Sequence, residues 1–293
     1  MRDLNQTTLW TALVTPMTES GDVCYPSFEK LIRNQEAAGN GLLVLGSTGE
    51  ALNLNRSTKE KIVDFAVSLN PNVPVMVGIG GHDLEGQVSW VNFLNSKKID
   101  ALLMVTPHYA KPGAMGQYEW FKTLMDTSQN PVMLYNVPGR SAAPLNLKTI
   151  ELLKDHPRFW AIKEASGSVE DFKNYLKTSG KPVFCGDDGL MSAFANAGSS
   201  GLVSVASNPW PLETAQYVKT CLQRNFPHAA LWERIGSSLF VASNPVPAKW
   251  LLKQKNVIQS DQVKCPLSKK DMNNTAEVLF CDEQAAKWYM ENK

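Results

Sequence analysis

The chain has 293 residues, 43% apolar and 19% charged, a balance that excludes a disordered segment and allows a large buried core. A formal net charge of +1 offers no electrostatic case for nucleic acid or an anionic membrane, and no apolar run reaches the roughly 18 residues of a membrane span. Residues 1–6 carry no signal-peptide core, and five scattered cysteines without a Cys-x-x-Cys pair read as reduced thiols of a cytoplasmic protein.

In chain order, short apolar runs alternate with stretches of helical period, the pattern of βα units. The first run, 9–15, precedes a helix predicted over 27–38, with Ser27 as N-cap and Gly39-Asn40-Gly41 as its stop. Further strands are expected at 42–45, 73–79, 101–105, 132–135, 159–164, 183–185 and 201–205. Helices are expected from 58 to 69, 84 to 96, 116 to 128, 146 to 154, 169 to 178 and 190 to 196, with an eighth from 212 to 224. Strands so short and continuously apolar fit a parallel sheet covered on both faces. Eight of them, with no Gly-x-Gly-x-x-Gly turn after the first, favour a closed (β/α)8 TIM barrel over a doubly wound sheet. Beyond 225 the strand pattern ends, and Trp232, Leu239, Trp250, Leu251, Val278 and Trp288 mark about three more helices. The expected organisation is a catalytic barrel over 1–225 and a helical appendage over 226–293.

Active sites of such barrels form at the carboxyl ends of the strands. Those ends read Gly46-Ser47-Thr48-Gly49-Glu50, Thr106-Pro107-His108-Tyr109, Tyr135-Asn136-Val137-Pro138-Gly139-Arg140, Ile162-Lys163-Glu164, Gly186-Asp187-Asp188 and Val203-Ser204-Val205. Lys163 stands out, because an ammonium inside an apolar strand is costly unless paired or deprotonated. Desolvation favours the neutral amine, which is the nucleophile that attacks a ketone. For the residue in isolation, the commoner reading is a lysine on an outward face, paired with a carboxylate such as Glu164.

Ser47 and Thr48 offer hydroxyl and backbone donors suited to a carboxylate, or simply a turn into a helix. Tyr135 reads either as a proton shuttle or as a buried tyrosine with a satisfied hydroxyl. Arg140 follows a rigid turn and can present its fork to a carboxylate, the alternative being a surface arginine. Asp187-Asp188 reads as turn-stabilising in preference to metal-binding, since the four histidines are dispersed.

These segments, taken in order along nearly the whole chain, resemble the pyruvate-dependent class I aldolases, the family of dihydrodipicolinate synthases and N-acetylneuraminate lyases. The resemblance begins at Ala12-Leu13-Val14-Thr15-Pro16-Met17 and extends to Asn244-Pro245-Val246-Pro247-Ala248-Lys249-Trp250. It implies that Lys163 forms an imine with pyruvate, whose carboxylate sits on Ser47 and Thr48 near Val203, with Gly186 among the substrate-binding positions. It implies a proton relay of Tyr135, Thr48 and Tyr109, the last supplied by a neighbouring subunit of a homodimer or tetramer. Arg140, which sialic acid lyases usually lack, would hold the carboxylate of aspartate semialdehyde, placing the reaction in lysine and diaminopimelate biosynthesis. No metal or organic cofactor is implied.

There are departures from the family pattern. Ser47 replaces a common threonine, and Ala142 stands where glycine is usual. Arg56, Lys59, His82, Gly86 and His108 stand where inhibited members bind lysine, so feedback by lysine is expected to be weak or absent. The other readings are cleavage of sialic acid or of a 2-keto-3-deoxy sugar acid by the same imine chemistry, and a non-catalytic ligand-binding barrel.

Overall fold

The computed structural model of the chain describes residues 2–293 and closes eight parallel strands into a barrel in sequence order. The strands are β1 Leu9–Ala12, β2 Gly41–Val44, β3 Val75–Ile79, β4 Ala101–Val105, β5 Val132–Asn136, β6 Phe159–Glu164, β7 Val183–Cys185 and β8 Leu202–Ser204. Around them lie α1 Tyr25–Ala38, α2 Arg56–Ser68, α3 Leu84–Asn95, α4 Ala114–Thr127, α5 Pro138–Ser141, α6 Leu147–Leu153, α7 Val169–Ser179, α8 Met191–Ala197 and α9 Pro211–Leu222.

Period-two alternation along the strands separates two cores. Leu42, Val44, Leu134 and Ile162 point outward and pack with helix residues such as Phe28, Ile62 and Phe172. Trp10, Leu43, Met76, Leu103, Met133, Tyr135, Ala161, Phe184 and Val203 point inward and fill the barrel. The interior is therefore a packed core and not a pore, and only its carboxyl-end mouth is left for chemistry.

Three predicted boundaries are corrected. The first strand ends at Ala12, because the Val14 N–H is taken by Asn208 Oδ1 at 3.0 Å instead of by a strand. The first helix begins at Tyr25 after Cys24, with Pro26 in its opening turn. Ser27 is not the cap; its hydroxyl accepts from the Gln259 backbone N–H at 3.2 Å. The second helix also starts early, at Arg56, because Asn55 accepts from Thr58 N at 2.8 Å and caps it.

After α9 come α10 Ala229–Ser238, α11 Val246–Gln254 and α12 Thr275–Asn292. An aromatic cluster fastens them to the barrel's outer ring. Tyr217 of α9 stacks on Trp232 of α10 at 4.4 Å, and Trp232 meets Trp288 of α12 edge-on at 5.1 Å. Such pairs contribute about 0.5–1.5 kcal/mol each beyond their buried area. Among the described residues no helix is long and apolar enough to cross a membrane.

Candidate active site

The β5–β6 register sets Tyr135 directly against Lys163. Both side chains enter the barrel, and Lys163 Nζ lies 4.3 Å from the Tyr135 ring centroid. Lys163 is only 5% exposed. Glu164, the alternative partner, turns the other way: Asn136 Nδ2 donates to its Oε2 at 2.6 Å and Ser166 N to its Oε1 at 2.5 Å. The reading of Lys163 as an outward lysine paired with Glu164 is thus excluded. Burial raises the Glu164 pKa, while those two donors oppose the rise.

Gly186 follows β7 and lies tight against the same lysine. A Cβ there would sit 2.9 Å from Lys163 Cε and 2.7 Å from Ala165 Cβ, so any side chain would displace the amine. Asp187 and Asp188 stabilise turns. Gly189 N donates to Asp187 at 3.2 Å, and Val205 N to Asp188 at 2.9 Å. Burial raises the Asp187 pKa, Glu233 adds to the rise and the Lys163 charge opposes it.

The loop after β2 is held under strain. Leu45 and Glu50 both adopt left-handed backbone angles, with φ of 58° and 57°, which non-glycine residues adopt at a cost. Between them, Thr48 is buried and its hydroxyl accepts from Asn244 Nδ2 at 2.9 Å. Glu50 is fully buried and paired with Lys249 of α11, also fully buried. Lys249 donates further to the Gln262 carbonyl at 2.8 Å, and Lys264 N donates to Glu50 Oε2 at 2.6 Å. Burial lowers the Lys249 pKa, while the Glu50 charge beside it raises it. The appendage therefore grips the loop that carries Ser47 and Thr48, a relationship absent from the sequence reading. The available signal was a lysine inside the apolar run Ala248-Lys249-Trp250-Leu251.

A cavity of about 340 Å³ opens at the mouth, lined by Ser47, Ile79, Leu103, His108, Tyr135 and Arg140 among others. Arg140 rides on the one-turn helix α5, which ends at Ala142 with a left-handed φ of 59°. Gly78 lines the same space, and a Cβ there would collide with the Leu45 carbonyl oxygen. Val203 is buried in the barrel interior with Tyr135. Ser47, Tyr135 and Arg140 thus line one cavity, with Lys163 against Tyr135 and Gly186 against Lys163, while Thr48 is bonded to Asn244 behind the same loop. Tyr109 does not join them: at φ 68° it is turned outward and is 87% exposed.

Beside the mouth, His82 packs edge-on against His108 at 5.3 Å. Burial lowers the His108 pKa, and His82 lowers it further. Arg56 and Lys59 share the face of Trp90, at 4.9 and 5.5 Å from its centroid, and Arg56 is paired with Glu60 at 2.7 Å.

The model of the dihydrodipicolinate synthetase family matches residues 5–280. The chain belongs to that family. A 4-hydroxy-tetrahydrodipicolinate synthase of Francisella philomiragia is 42% identical over 284 residues, covering 96% of each sequence. Among solved structures, a dihydrodipicolinate synthase of Bacillus anthracis superposes with a TM-score of 0.89 at 28% identity, covering 97% of this chain and 99% of its own. The Acinetobacter baumannii dihydrodipicolinate synthase, solved in complex with pyruvate, superposes with a TM-score of 0.87 at 27% identity, covering 97% and 99%. The family's architecture is therefore present over nearly the whole chain, appendage included.

Proposed function

We propose that this family member is a 4-hydroxy-tetrahydrodipicolinate synthase, condensing pyruvate with L-aspartate-4-semialdehyde in lysine and diaminopimelate biosynthesis. The observation that carries this reading is the buried Lys163 amine facing Tyr135 at the barrel mouth, free of Glu164. The amine attacks the keto carbon of pyruvate, and loss of water leaves an imine. The imine is itself the electron sink, so the chemistry calls on no metal or organic cofactor. The pyruvate methyl gives up a proton, and the resulting enamine carbon bonds to the aldehyde carbon. The substrate's amine then closes the ring on the imine carbon and releases Lys163.

Ser47 and Thr48, with the backbone near Val203, receive the pyruvate carboxylate. Tyr135 moves protons through Thr48 to Tyr109 of a neighbouring subunit, and Arg140 takes the carboxylate of the aldehyde substrate. The outward, solvent-facing Tyr109 favours a working unit of at least two copies, either a dimer or a tetramer. Five unpaired cysteines favour a reducing, cytoplasmic setting. Arg56, Lys59, His82, Gly86 and His108 supply no carboxylate at the positions where the family's inhibited members hold lysine, so sub-millimolar lysine is expected to leave the initial rate unchanged.

The decisive experiment is borohydride reduction in the presence of pyruvate, followed by mass mapping. The expected result is one covalent adduct on the peptide carrying Lys163. An unmodified peptide would reduce the chain to a barrel that binds without catalysing.

A further inference from the structure

Asn136 and Glu164 pair in register one step beyond Tyr135 and Lys163. Strand alternation turns these two side chains away from the barrel interior and into the layer between strands and helices, where both are fully buried. Asn136 Nδ2 donates to Glu164 Oε2 at 2.6 Å, and Asn136 Oδ1 accepts from Leu145 N at 2.8 Å. Ser166 N donates to the other Glu164 oxygen at 2.5 Å. A backbone N–H only donates and a carboxylate only accepts, so the Asn136 amide has one workable orientation.

Leu145 is where the chain comes back from the turn that carries Arg140. Residues 137–144 leave β5 at Asn136, form α5 and return to the same asparagine, which closes the excursion on itself. Arg140 is exposed at its tip, and its backbone N–H is held by the Val137 carbonyl at 2.9 Å. Gln117 of α4 and Tyr175 of α7 also grip the returning segment, donating to Pro144 O at 2.9 Å and to Leu145 O at 2.6 Å. Those two ties reach only the helix layer, whereas Asn136 ties the turn to the strand pair that carries Tyr135 and Lys163. We infer that Asn136 and Glu164 are positioning residues for the reaction: their bracket sets the Arg140 turn at a fixed spacing from the Lys163 amine. This rests on the reading of Arg140 as the holder of the aldehyde's carboxylate. Neither residue is among those lining the mouth cavity, so both act through the turn.

The test is steady-state kinetics of Asn136→Leu, Glu164→Gln and the exchange of Asn136→Asp with Glu164→Gln, each with and without Arg140→Ala, beside borohydride trapping of pyruvate. In Asn136→Leu both bonds of the amide are lost, and kcat/KM for the semialdehyde falls by about thirtyfold, short of losing Arg140 itself. In Glu164→Gln a side-chain amide meets two donors with one acceptor, and the stranded buried N–H costs about tenfold. The exchange restores every bond. The introduced glutamine gives its NH2 to the introduced carboxylate and accepts from Ser166 N, while the other carboxylate oxygen accepts from Leu145 N. Its kcat/KM returns to within about threefold of the parent, and beside Arg140→Ala none of these changes costs more than about twofold. The pyruvate adduct on Lys163 forms at the parent rate throughout.

Adduct formation that falls in step with the semialdehyde rate would overturn the inference, since the bracket would then hold the strand pair and not the turn. An exchange variant no better than Glu164→Gln would overturn it as well, and so would losses that persist in full beside Arg140→Ala. Should Asn136→Leu fail to fold, Glu164→Gln against the exchange decides by the same criteria. Unchanged kinetics in Arg140→Ala would sink the reading of Arg140 and this inference with it; a full loss there with harmless changes at 136 and 164 sinks only the bracket.

Discussion

Lys163 and Tyr135 meet across adjacent strands, the amine 4.3 Å from the ring centroid, because the β5–β6 register pairs their backbones and strand alternation turns both inward. That geometry does two things for imine chemistry. It shields the amine from bulk water, and it sets the Tyr135 ring beside the nitrogen that would carry the proposed imine. The position is supported from β7 as well, where Gly186 leaves just the width the lysine needs.

In the proposed reaction Arg140 is the residue on which the choice of aldehyde turns. It lines the mouth from the one-turn helix that follows β5, whereas the amine proposed to take pyruvate stands on β6. Replacing Arg140 with alanine is expected to lower kcat/KM for aspartate semialdehyde by about a hundredfold, the scale of a bidentate charge-assisted contact. The pyruvate adduct on Lys163 should form as before. Steady-state assays with each substrate varied in turn, beside the trapping assay, check this. Unchanged kinetics for the semialdehyde would move the discriminating contact elsewhere and reopen the sugar-acid aldolase readings.

Tyr109 makes a prediction about assembly. Its phenol is exposed, so within one copy it has no part in the Lys163 site. Tyr109→Phe and Lys163→Ala should each be nearly inactive alone. Mixed and allowed to exchange subunits, they should regain activity, because a hybrid pairs an intact lysine with an intact phenol. The measurement is rate after mixing against the sum of the separate rates. A mixture no faster than that sum would mean that Tyr109 does not cross between copies.

The buried Glu50–Lys249 pair predicts a stability effect. Glu50→Gln leaves the Lys249 ammonium at full burial with no counter-charge, a loss of about 3–5 kcal/mol. Lys249→Met in the same chain should restore much of it, since removing both charges avoids the unpaired one. Urea unfolding of the three proteins gives the comparison. If the double variant were no more stable than Glu50→Gln, the damage would lie in the Lys264 N–H bond to Glu50 and not in the stranded charge.

How far the sequence was legible depends on the range of each interaction. Strands such as Ala101–Val105 could be read because burial on both faces leaves an unbroken apolar run. Lys163 could be read because a charge in such a run demands an explanation. By the same rule Lys249 could be suspected, but its partner lies 199 residues away, and nothing local links the two. Asn244 and Thr48 are separated similarly. Ser27 was misplaced as a cap because its hydroxyl serves Gln259, a contact between distant segments. The one-turn helix α5 left only Pro138 as a signal, since its end falls on an alanine in a left-handed conformation instead of a glycine.

Asp188 predicts how stability should follow pH. Burial raises its pKa from 3.8 to about 6, against hydrogen bonds from Ser204, Val205 and Ala206 that favour the charged form. A folded pKa above the unfolded one means that the native state binds the proton more tightly. The contribution to stability is therefore complete below about pH 4 and lost as pH rises through about 6. At about 1.4 kcal/mol per unit, the span is about 3 kcal/mol. The substitution Asp188→Asn abolishes the titration but keeps an acceptor for those donors. The free energy of unfolding of the parent minus that of Asp188→Asn should therefore grow as pH falls from 7 toward 4. Urea melts of both proteins at each pH measure it. A difference that stays flat, or shrinks toward acid, would mean that the three donors outweigh burial and hold Asp188 as a carboxylate throughout. In that case the charge itself organises residues 204–206 beside Val203, and Asp188→Asn should weaken pyruvate binding at neutral pH.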